Sequence, residues 1–256
     1  MQGRRCLITG AAGGVGAATA RRLCEQGAAV VGTDLDADAV NRLAGELAGD
    51  AFEAHALVLD VTNDEEVRTA VEAAARVLGG LDTLIANAGI LTVARIEDLS
   101  PETFRRTLEV NLVGSFLCIR HAVPAIRRAG GGAIVCTTSQ AGLEGVPEAT
   151  AYCASKFGVV GMVQSLAREL TGDGIRVTAV APGLVDTPMI REFYERRAAI
   201  HGGDAESLLQ QAIAEYPIGR LASPAEVAET IVFLASDSAS YISGATIPVI
   251  GGQLSR

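Results

Sequence analysis

Short apolar runs alternate along the chain with longer segments of helical periodicity. Seven runs have the length of a strand: Cys6–Thr9, Ala29–Thr33, Ala54–Leu59, Thr83–Ala86, Ala133–Thr137, Arg176–Val180 and Thr246–Val249. Helical patterns lie between them at Val15–Gln26, Ala37–Leu47, Glu65–Leu78, Pro101–Arg128, Thr150–Leu170 and Pro224–Leu234. Repeated strand-to-helix crossovers build a doubly wound parallel sheet. The pattern predicts a single α/β domain over residues 1–256, with about seven strands and helices on both faces.

Two helix starts carry cap signals, and one segment breaks the alternation. Thr62 with Glu65 resembles a capping box for the third helix, and Ser223 before Pro224 is typical of an N-cap and a first helical position. Residues 188–218 are helical but charged, with a Gly202-Gly203 break and no strand. We expect this insertion to form a lid over a substrate site. The alternative is a solvated pair of surface helices.

Composition narrows the class of protein. The chain is 49% hydrophobic but only 4% aromatic and lacks Trp, so the core is expected to be aliphatic, as suits parallel strands buried on both faces. The net charge is −9 and the pI about 4.9. Because binding to phosphate backbones needs clustered Lys and Arg, this balance argues against nucleic acid and anionic membranes as partners.

The cysteines and histidines give no sign of disulfides or metals. Five cysteines without a C-x-x-C motif are expected to be small buried side chains of a reducing compartment. His55, His121 and His201 share no ligand spacing, so no metal is assigned. The N-terminus has no signal-peptide pattern, and no apolar run reaches the length of a membrane span. A cytoplasmic location is expected.

The first strand runs into TGAAGGVGAA, and a helix follows. The fingerprint G-x-G-x-x-G fails here, but G-x-x-x-G-x-G fits through Gly10, Gly14 and Gly16, and G-x-x-G-x-x-G fits through Gly10, Gly13 and Gly16. Glycines at a helix start permit close approach of a pyrophosphate to free N–H groups. The segment predicts a nucleotide site, with a structural glycine turn as the alternative.

An acidic residue at the end of the second strand indicates which nucleotide. Asp34 follows Gly16 by 18 positions, where a carboxylate can accept both hydroxyls of the adenosine ribose and repel a 2′-phosphate. No Arg or Lys stands at Gly13 or Leu35 to attract that phosphate. These features predict NAD as the cofactor and make NADP less favoured. Asp36 is better placed than Asp34 to cap the next helix.

The stretch AYCASKFG carries the candidate chemistry. Tyr152 and Lys156 are four residues apart and therefore lie on one helix face, where an ammonium can lower the pKa of a phenol. Alone, Y-x-x-x-K is common on solvated helices. Ser139 follows the strand Ala133–Thr137, at the strand end where open α/β sheets bind ligands.

Together these motifs resemble the short branch of the short-chain dehydrogenase/reductase family, over nearly the whole chain. The matching segments are Thr9-Gly10-x-x-x-Gly14-x-Gly16, Asp60-Val61, Asn87-Ala88-Gly89, the set Asn111, Ser139, Tyr152 and Lys156, Pro182-Gly183 with Thr187, and the C-terminal segment from Gly219 to Val249. Ile250 departs from the family, which often carries Asp there.

The resemblance implies a Rossmann-like NAD(P)-binding fold and a role for each matching residue. Tyr152 would be the general base or acid, Lys156 would lower its pKa and hold the nicotinamide ribose, Ser139 would bind the substrate oxygen, and Asn111 would orient a water. The implied cofactor-binding residues are Gly10, Gly14, Val15, Gly16, Asp34, Leu35, Asp60, Val61, Asn87, Ala88, Gly89, Tyr152, Lys156, Pro182, Gly183, Val185 and Thr187. A homotetramer packed through the Pro101–Arg128 and Thr150–Leu170 helices and the C-terminal region is also implied.

The predicted function is an NAD-dependent oxidoreductase that interconverts a secondary alcohol and a ketone. The alternatives are a 3-oxoacyl-carrier-protein reductase-like enzyme that uses NADPH, and a non-catalytic NAD-binding regulator. The expected substrate pocket is formed by Leu91, Gln140, Leu143, Val146, Leu184, Met189 and Phe193, with Ile90 beside them. Because this set is mostly apolar, it indicates a cyclic or medium-sized hydrophobic alcohol.

Overall fold

The computed structural model describes residues 1–50 and 52–253. Seven parallel strands form one sheet in the order β3-β2-β1-β4-β5-β6-β7. Their bounds are β1 Arg5–Thr9, β2 Ala29–Asp34, β3 Ala54–Val58, β4 Thr83–Ala86, β5 Gly132–Thr137, β6 Ile175–Pro182 and β7 Thr246–Val249. The predicted doubly wound parallel sheet is confirmed.

Helices connect the strands and cover both faces of the sheet. Their bounds are α1 Gly14–Glu25, α2 Ala37–Gly49, α3 Asp64–Val77, α4 Pro101–Leu108, α5 Gly114–Arg128, α6 Thr150–Leu170, α7 Pro188–His201, α8 Ala205–Ala214 and α9 Pro224–Ala235. Short 3-10 turns lie at Gln140–Gly142, Thr171–Asp173 and Asp237–Ala239. In the part of the chain that is described, no helix has the length and apolar character needed to cross a bilayer.

The helix expected over Pro101–Arg128 is present, but a π-helical turn at Glu109–Val113 lies within it, between α4 and α5. Asn111 lies in this turn and is completely buried. Its amide is bound to the main chain before α4, and the Ser115 hydroxyl donates to its carbonyl oxygen at 2.8 Å. These contacts compete with the regular α-helical ladder, so the wider turn follows from what Asn111 binds.

The capping box expected at Thr62 and Glu65 is wrong. Asn63 is the N-cap of α3, and its side-chain oxygen accepts from the N–H groups of Glu65 and Glu66 at 3.1 and 3.2 Å. Thr62 instead donates its hydroxyl to Asp60 at 2.7 Å. The other cap expectations are confirmed, since Asp36 caps α2 and Ser223 forms a reciprocal capping box at the start of α9.

The core consists of two aliphatic layers, one on each face of the sheet. Alternate residues of one strand point to opposite layers: Leu7 packs with α3, α5 and α6, whereas Cys6 and Ile8 pack with α1, α2 and α9. Four cysteines are buried in these layers and Cys153 is half-buried, all with free thiols. Burial raises the pKa of the Cys118 thiol to about 12, which fits the expected packing role.

The strand order reverses between β1 and β4, and this places the ends of two central strands side by side. The Thr9 hydroxyl accepts from the N–H groups of Asn87 and Ala88, both at 3.1 Å, while the Asn87 amide donates to the carbonyl oxygens of Thr9 and Gly10. Asn87 therefore holds the N-A-G turn against the glycine loop. In open α/β sheets, ligands bind at such a reversal.

Candidate active site

A cleft of about 1010 Å³ runs along the carboxyl ends of the strands. The glycine loop and the end of β2 form one half of it, and the ends of β5 and β6 with α7 and α8 form the other. Every residue expected to bind the cofactor lines this cleft: Gly10, Gly14, Val15, Gly16, Asp34, Leu35, Asp60, Val61, Asn87, Ala88, Gly89, Tyr152, Lys156, Pro182, Gly183, Val185 and Thr187. The structure thus brings together residues from the ends of five strands and from helix α6.

The glycine loop has the shape needed to cradle a pyrophosphate. A Cβ atom on Gly16 would lie 2.1 Å from the Gly10 carbonyl oxygen, and Gly10 itself has φ +64°. On Gly14 a Cβ would lie 2.8 Å from Cγ2 of Thr187, so this glycine keeps the loop against the start of α7. Helix α1 has no side-chain cap and no acidic residue in its first turn. Its N-terminal N–H groups thus suit an anion.

Asp34 is held in place at the other end of this half of the cleft. Its Oδ2 accepts from the N–H of Ala12 at 3.0 Å, and its Oδ1 accepts from the N–H of Asp36 at 3.2 Å. Leu35 beside it is 62% exposed. A fixed carboxylate at this point is suited to ribose hydroxyls. The glycine loop and this carboxylate together fit an adenine dinucleotide.

Ser139, Tyr152 and Lys156 meet in the middle of the cleft. Ser139 precedes the 3-10 turn after β5, and its hydroxyl oxygen accepts from the N–H of Ala141 at 3.1 Å. Lys156 is the only lysine in the chain. Its Nζ donates to the carbonyl oxygen of Thr137 at 2.9 Å and lies 5.6 Å from the centre of the Tyr152 ring. The helical spacing predicted for the tyrosine and the lysine is confirmed.

Burial governs the protonation of this group. It lowers the pKa of Lys156 to about 8, because the side chain is 3% exposed and the charged form loses hydration. Burial also raises the pKa of Tyr152, and the interaction with the Ser139 hydroxyl opposes that rise. In the protein without cofactor, the tyrosine is therefore a phenol. A positive charge brought beside it would favour the phenolate.

Asn111 does not line the cleft, unlike the other three predicted catalytic residues. Its Oδ1 accepts from the N–H of Ile90 at 2.8 Å, and its Nδ2 donates to the Ile90 carbonyl and to the Ser155 hydroxyl, both at 2.9 Å. A Cβ on Gly89 would lie 3.2 Å from Oδ1 of Asn111 and 3.4 Å from Nζ of Lys156. The amide thus fixes the main chain that borders the lysine.

The substrate half matches the expected residues with one exception. Leu91, Gln140, Val146, Leu184, Met189 and Phe193 line the cleft, as does Ile90. Leu143 does not, because the turn at Gln140–Gly142 presents Gln140 and Glu144 to the cleft instead. Polar side chains join these mostly apolar residues. The lining includes Glu144, Arg197, Gln211, Glu215 and Tyr216, which no local sequence signal had marked.

Helices α7 and α8 are tied to the rest of the domain by polar contacts. Glu148, which has φ +62°, binds Arg197 at 2.9 Å and His201 at 3.1 Å. Tyr216 after α8 donates its hydroxyl to Oε1 of Gln140 at 2.5 Å. Within residues 1–50 and 52–253, no three His, Cys, Asp or Glu side chains are grouped to hold a metal ion.

A cradle for a dinucleotide beside a Ser-Tyr-Lys group defines a nicotinamide-dependent oxidoreductase that acts on an alcohol or a carbonyl group. Comparison with known proteins agrees. A family model described as enoyl-(acyl carrier protein) reductase matches residues 10–253. The chain belongs to the short-chain dehydrogenase/reductase family.

Similar proteins include dehydrogenases and reductases of known substrate. The cis-4-hydroxycyclohexanecarboxylate dehydrogenase of Sinomonas cyclohexanicum is 42% identical, covering 97% of this chain and 96% of its own. The 3-oxoacyl-[acyl-carrier-protein] reductase of Thermotoga maritima is 37% identical, covering 98% of both chains. Among solved structures, NAD⁺-bound xylitol dehydrogenase has a TM-score of 0.95 at 31% identity and covers 98% of this chain and 99% of that one. The protein is therefore an oxidoreductase acting on CH–OH groups.

Proposed function

We propose that the protein interconverts a secondary alcohol and a ketone with NAD, and that Tyr152 transfers the hydroxyl proton. The observation that carries this proposal is the meeting of Ser139, Tyr152 and Lys156 in the cleft whose other half holds the glycine loop and Asp34. Bound NAD supplies the hydride acceptor, chemistry that belongs to the cofactor. All other roles belong to side chains of this chain.

Tyr152 acts as the general base during oxidation and as the general acid during reduction. Lys156, held by the Thr137 carbonyl, favours the phenolate when it is charged. The Ser139 hydroxyl donates to the substrate oxygen and stabilises its developing negative charge. Asn111 supports the site through the Ile90 main chain, and it orients a water that exchanges protons with Lys156.

The preference for NAD rests on Asp34. Its carboxylate is fixed by two N–H groups, so accommodating a 2′-phosphate would bring two negative charges together. Neither Gly13 nor Leu35 offers a cation to compensate. We expect kcat/KM with NAD to exceed that with NADP by at least about tenfold, equivalent to about 1.4 kcal/mol.

Helices α7 and α8 serve as the substrate lid within residues 188–218, since their side chains line one wall of the cleft. The predicted homotetramer, packed through the Pro101–Arg128 and Thr150–Leu170 helices and the C-terminal region, is supported by two large apolar side chains on α5 and α6. Phe116 and Phe157 are each 46% exposed. Light scattering in solution tests this assembly, and a monomer would contradict it.

The similarity to 3-oxoacyl-[acyl-carrier-protein] reductases makes NADPH-dependent reduction of an acyl thioester the second candidate. The net charge of −9 opposes it, because an acidic carrier protein requires a basic docking face. Preference for NADPH with a 3-oxoacyl thioester over NAD with every alcohol would favour this candidate.

The test is NAD-linked oxidation of a panel of secondary alcohols by the purified protein. Tyr152→Phe should lower kcat at least about 100-fold, because proton transfer by a positioned side chain contributes about 10²–10⁴-fold. Tyr241→Phe is the matched control: this tyrosine is fully exposed and should leave kcat unchanged. Full activity of Tyr152→Phe would refute the assigned role.

A further inference from the structure

Beside Ser139, three polar side chains form a chain of hydrogen bonds that the proposed proton transfer does not use. The Tyr216 hydroxyl donates to Oε1 of Gln140 at 2.5 Å, and Nε2 of Gln140 donates to Oε1 of Glu144. All three residues line the cleft, and Gln140 is only 8% exposed. Gln140 directly follows Ser139 in the sequence, so this chain lies next to the reacting position.

The Gln140 amide can adopt only one orientation here. If its oxygen and nitrogen were exchanged, the amide oxygen would face the carboxylate of Glu144, and two acceptors would meet without a proton between them. Tyr216 reinforces this choice, because its hydroxyl donates to the amide oxygen. The two ends of the amide are therefore fixed by one donor and one acceptor.

Packing against β6 holds Tyr216 in position. A Cβ atom on Gly183 would lie 2.9 Å from Cε1 of the Tyr216 ring and 3.1 Å from Oε1 of Gln140. The absence of a side chain at Gly183 thus gives the ring and the amide the space that they share. Tyr216 joins the end of the predicted lid to the loop after Ser139.

The groups that this wall leaves for a ligand are mainly acceptors. The second carboxylate oxygen of Glu144 has no hydrogen-bond partner among the described residues, and Glu215 adds another negative charge to the lining. The charge of Arg197 is matched by its ion pair with Glu148. Such a wall favours a ligand that donates hydrogen bonds, and it disfavours a carboxylate.

We propose that Gln140 and Glu144 bind a second hydroxyl group of the substrate, and that Tyr216 is the residue that positions them. The substrate is then a diol or polyol whose second hydroxyl lies close to the reacting carbinol. This inference rests on the proposed alcohol oxidation and adds the class of alcohol. Tyr216 acts through Gln140 and has no part in the proton transfer.

The test compares NAD-linked oxidation of cyclohexanol, 1,2-cyclohexanediol, 1,3-cyclohexanediol and 4-hydroxycyclohexanecarboxylate. For the unmodified protein we expect kcat/KM for the better diol to exceed that for cyclohexanol at least about tenfold, the scale of one hydrogen bond to a charged group. Tyr216→Phe should lower the diol value about tenfold, mainly through KM, and change the cyclohexanol value less than about twofold.

Two further variants separate positioning from general damage to the lid. Glu144→Gln keeps an acceptor for Gln140 but loses the charge, so it should reduce the diol preference and improve oxidation of the acid. Tyr194→Phe makes the same chemical change as Tyr216→Phe in the same wall, but the Tyr194 ring packs against Phe193. Tyr194→Phe should keep the ratio of kcat/KM for the diol to kcat/KM for cyclohexanol that the unmodified protein shows.

Equal or better use of cyclohexanol or the acid by the unmodified protein would overturn the inference while leaving the proposed alcohol oxidation intact. Equal losses for diol and cyclohexanol in Tyr216→Phe would overturn it too, as would the same change of ratio in Tyr194→Phe. Failure to oxidise any alcohol with NAD would refute the proposed function and the inference together.

Discussion

Replacing Gly16 by alanine tests whether the glycine loop is shaped by backbone contacts. The added Cβ would lie 2.1 Å from the Gly10 carbonyl oxygen, 2.9 Å from Cα of Ala11 and 3.0 Å from Nδ2 of Asn87. Cβ atoms essentially never lie closer than 3.0 Å to such atoms, so the loop has to move by roughly 1 Å. The substitution therefore overpacks the loop.

The cost can be worked out from these contacts. Overpacking costs about 1–3 kcal/mol, and each intramolecular hydrogen bond contributes about 1 kcal/mol. The Gly10 carbonyl accepts from Asn87 at 3.1 Å and from the N–H of Gly13 at 3.3 Å, and its displacement weakens both bonds. We expect Gly16→Ala to lower the free energy of unfolding by about 3 kcal/mol and the Tm by about 10 °C.

Cofactor binding should weaken as well, because the displaced loop is the one proposed to cradle the pyrophosphate. We expect Gly16→Ala to raise the Kd of the cofactor at least about tenfold, which corresponds to a loss of about 1.4 kcal/mol of binding free energy. The change in NADH fluorescence on binding measures Kd, and thermal unfolding measures Tm. The lack of Trp removes the main source of protein emission that would overlap the excitation of bound NADH.

Gly13→Ala is the matched control in the same loop. Gly13 has φ −74°, which alanine adopts readily, and the nearest atom to an added Cβ is the Gly10 oxygen at 3.6 Å. The free energy of unfolding of Gly13→Ala should differ from that of the unmodified protein by less than about 1 kcal/mol, the size of a glycine-to-alanine effect at a compatible position. Unchanged Tm and Kd in Gly16→Ala, or equal damage in both variants, would refute the reasoning.

Two predictions concern protonation and capping. Burial lowers the pKa of Lys156 from 10.5 to about 8. Between these two pH values the lysine is protonated in the unfolded chain but uncharged in the folded protein. The free energy of unfolding should therefore rise with pH across that window by about 3 kcal/mol relative to Lys156→Met. Urea unfolding of both proteins at each pH measures this difference. Parallel plots of unfolding free energy against pH would contradict the lowered pKa. Asn63→Ala should cost about 1 kcal/mol in the same assay. Glu65 is exposed, so Glu65→Ala should cost less than about 0.5 kcal/mol. A larger loss for Glu65→Ala than for Asn63→Ala would instead support the Thr62–Glu65 capping box.

The sheet, the glycine loop and the Tyr-Lys pair could be predicted because their signals are local. An apolar run between turn residues marks a strand, and a spacing of four marks one helix face. The capping error shows the limit of such patterns. Thr62 and Asn63 are both good cap residues, and the hydrogen bond from Thr62 to Asp60 decides between them.

The π turn and the polar wall of the substrate half could not be predicted in this way. The π turn depends on contacts between Asn111 and Ile90, which lie 21 residues apart. The wall depends on Tyr216 meeting Gln140, 76 residues away. Apolar residues of the expected pocket do line the cleft, and charged residues join them from the predicted lid and from the loop after Gln140. No local sequence signal showed which of these charged residues would face the cleft. Long-range contacts thus determine the part of the site that faces the substrate.

The single lysine has a consequence for covalent chemistry. Lys and Arg together number 21, so the other 20 cations are arginines and carry no primary amine. With a pKa of about 8, the Lys156 amine is partly uncharged at neutral pH and therefore nucleophilic. Acylating reagents and aldehydes can react at only two amines, the N-terminus and Lys156. Immobilising the protein through side-chain amines would thus modify its candidate active site, and a bound nicotinamide cofactor should shield that one position from labelling.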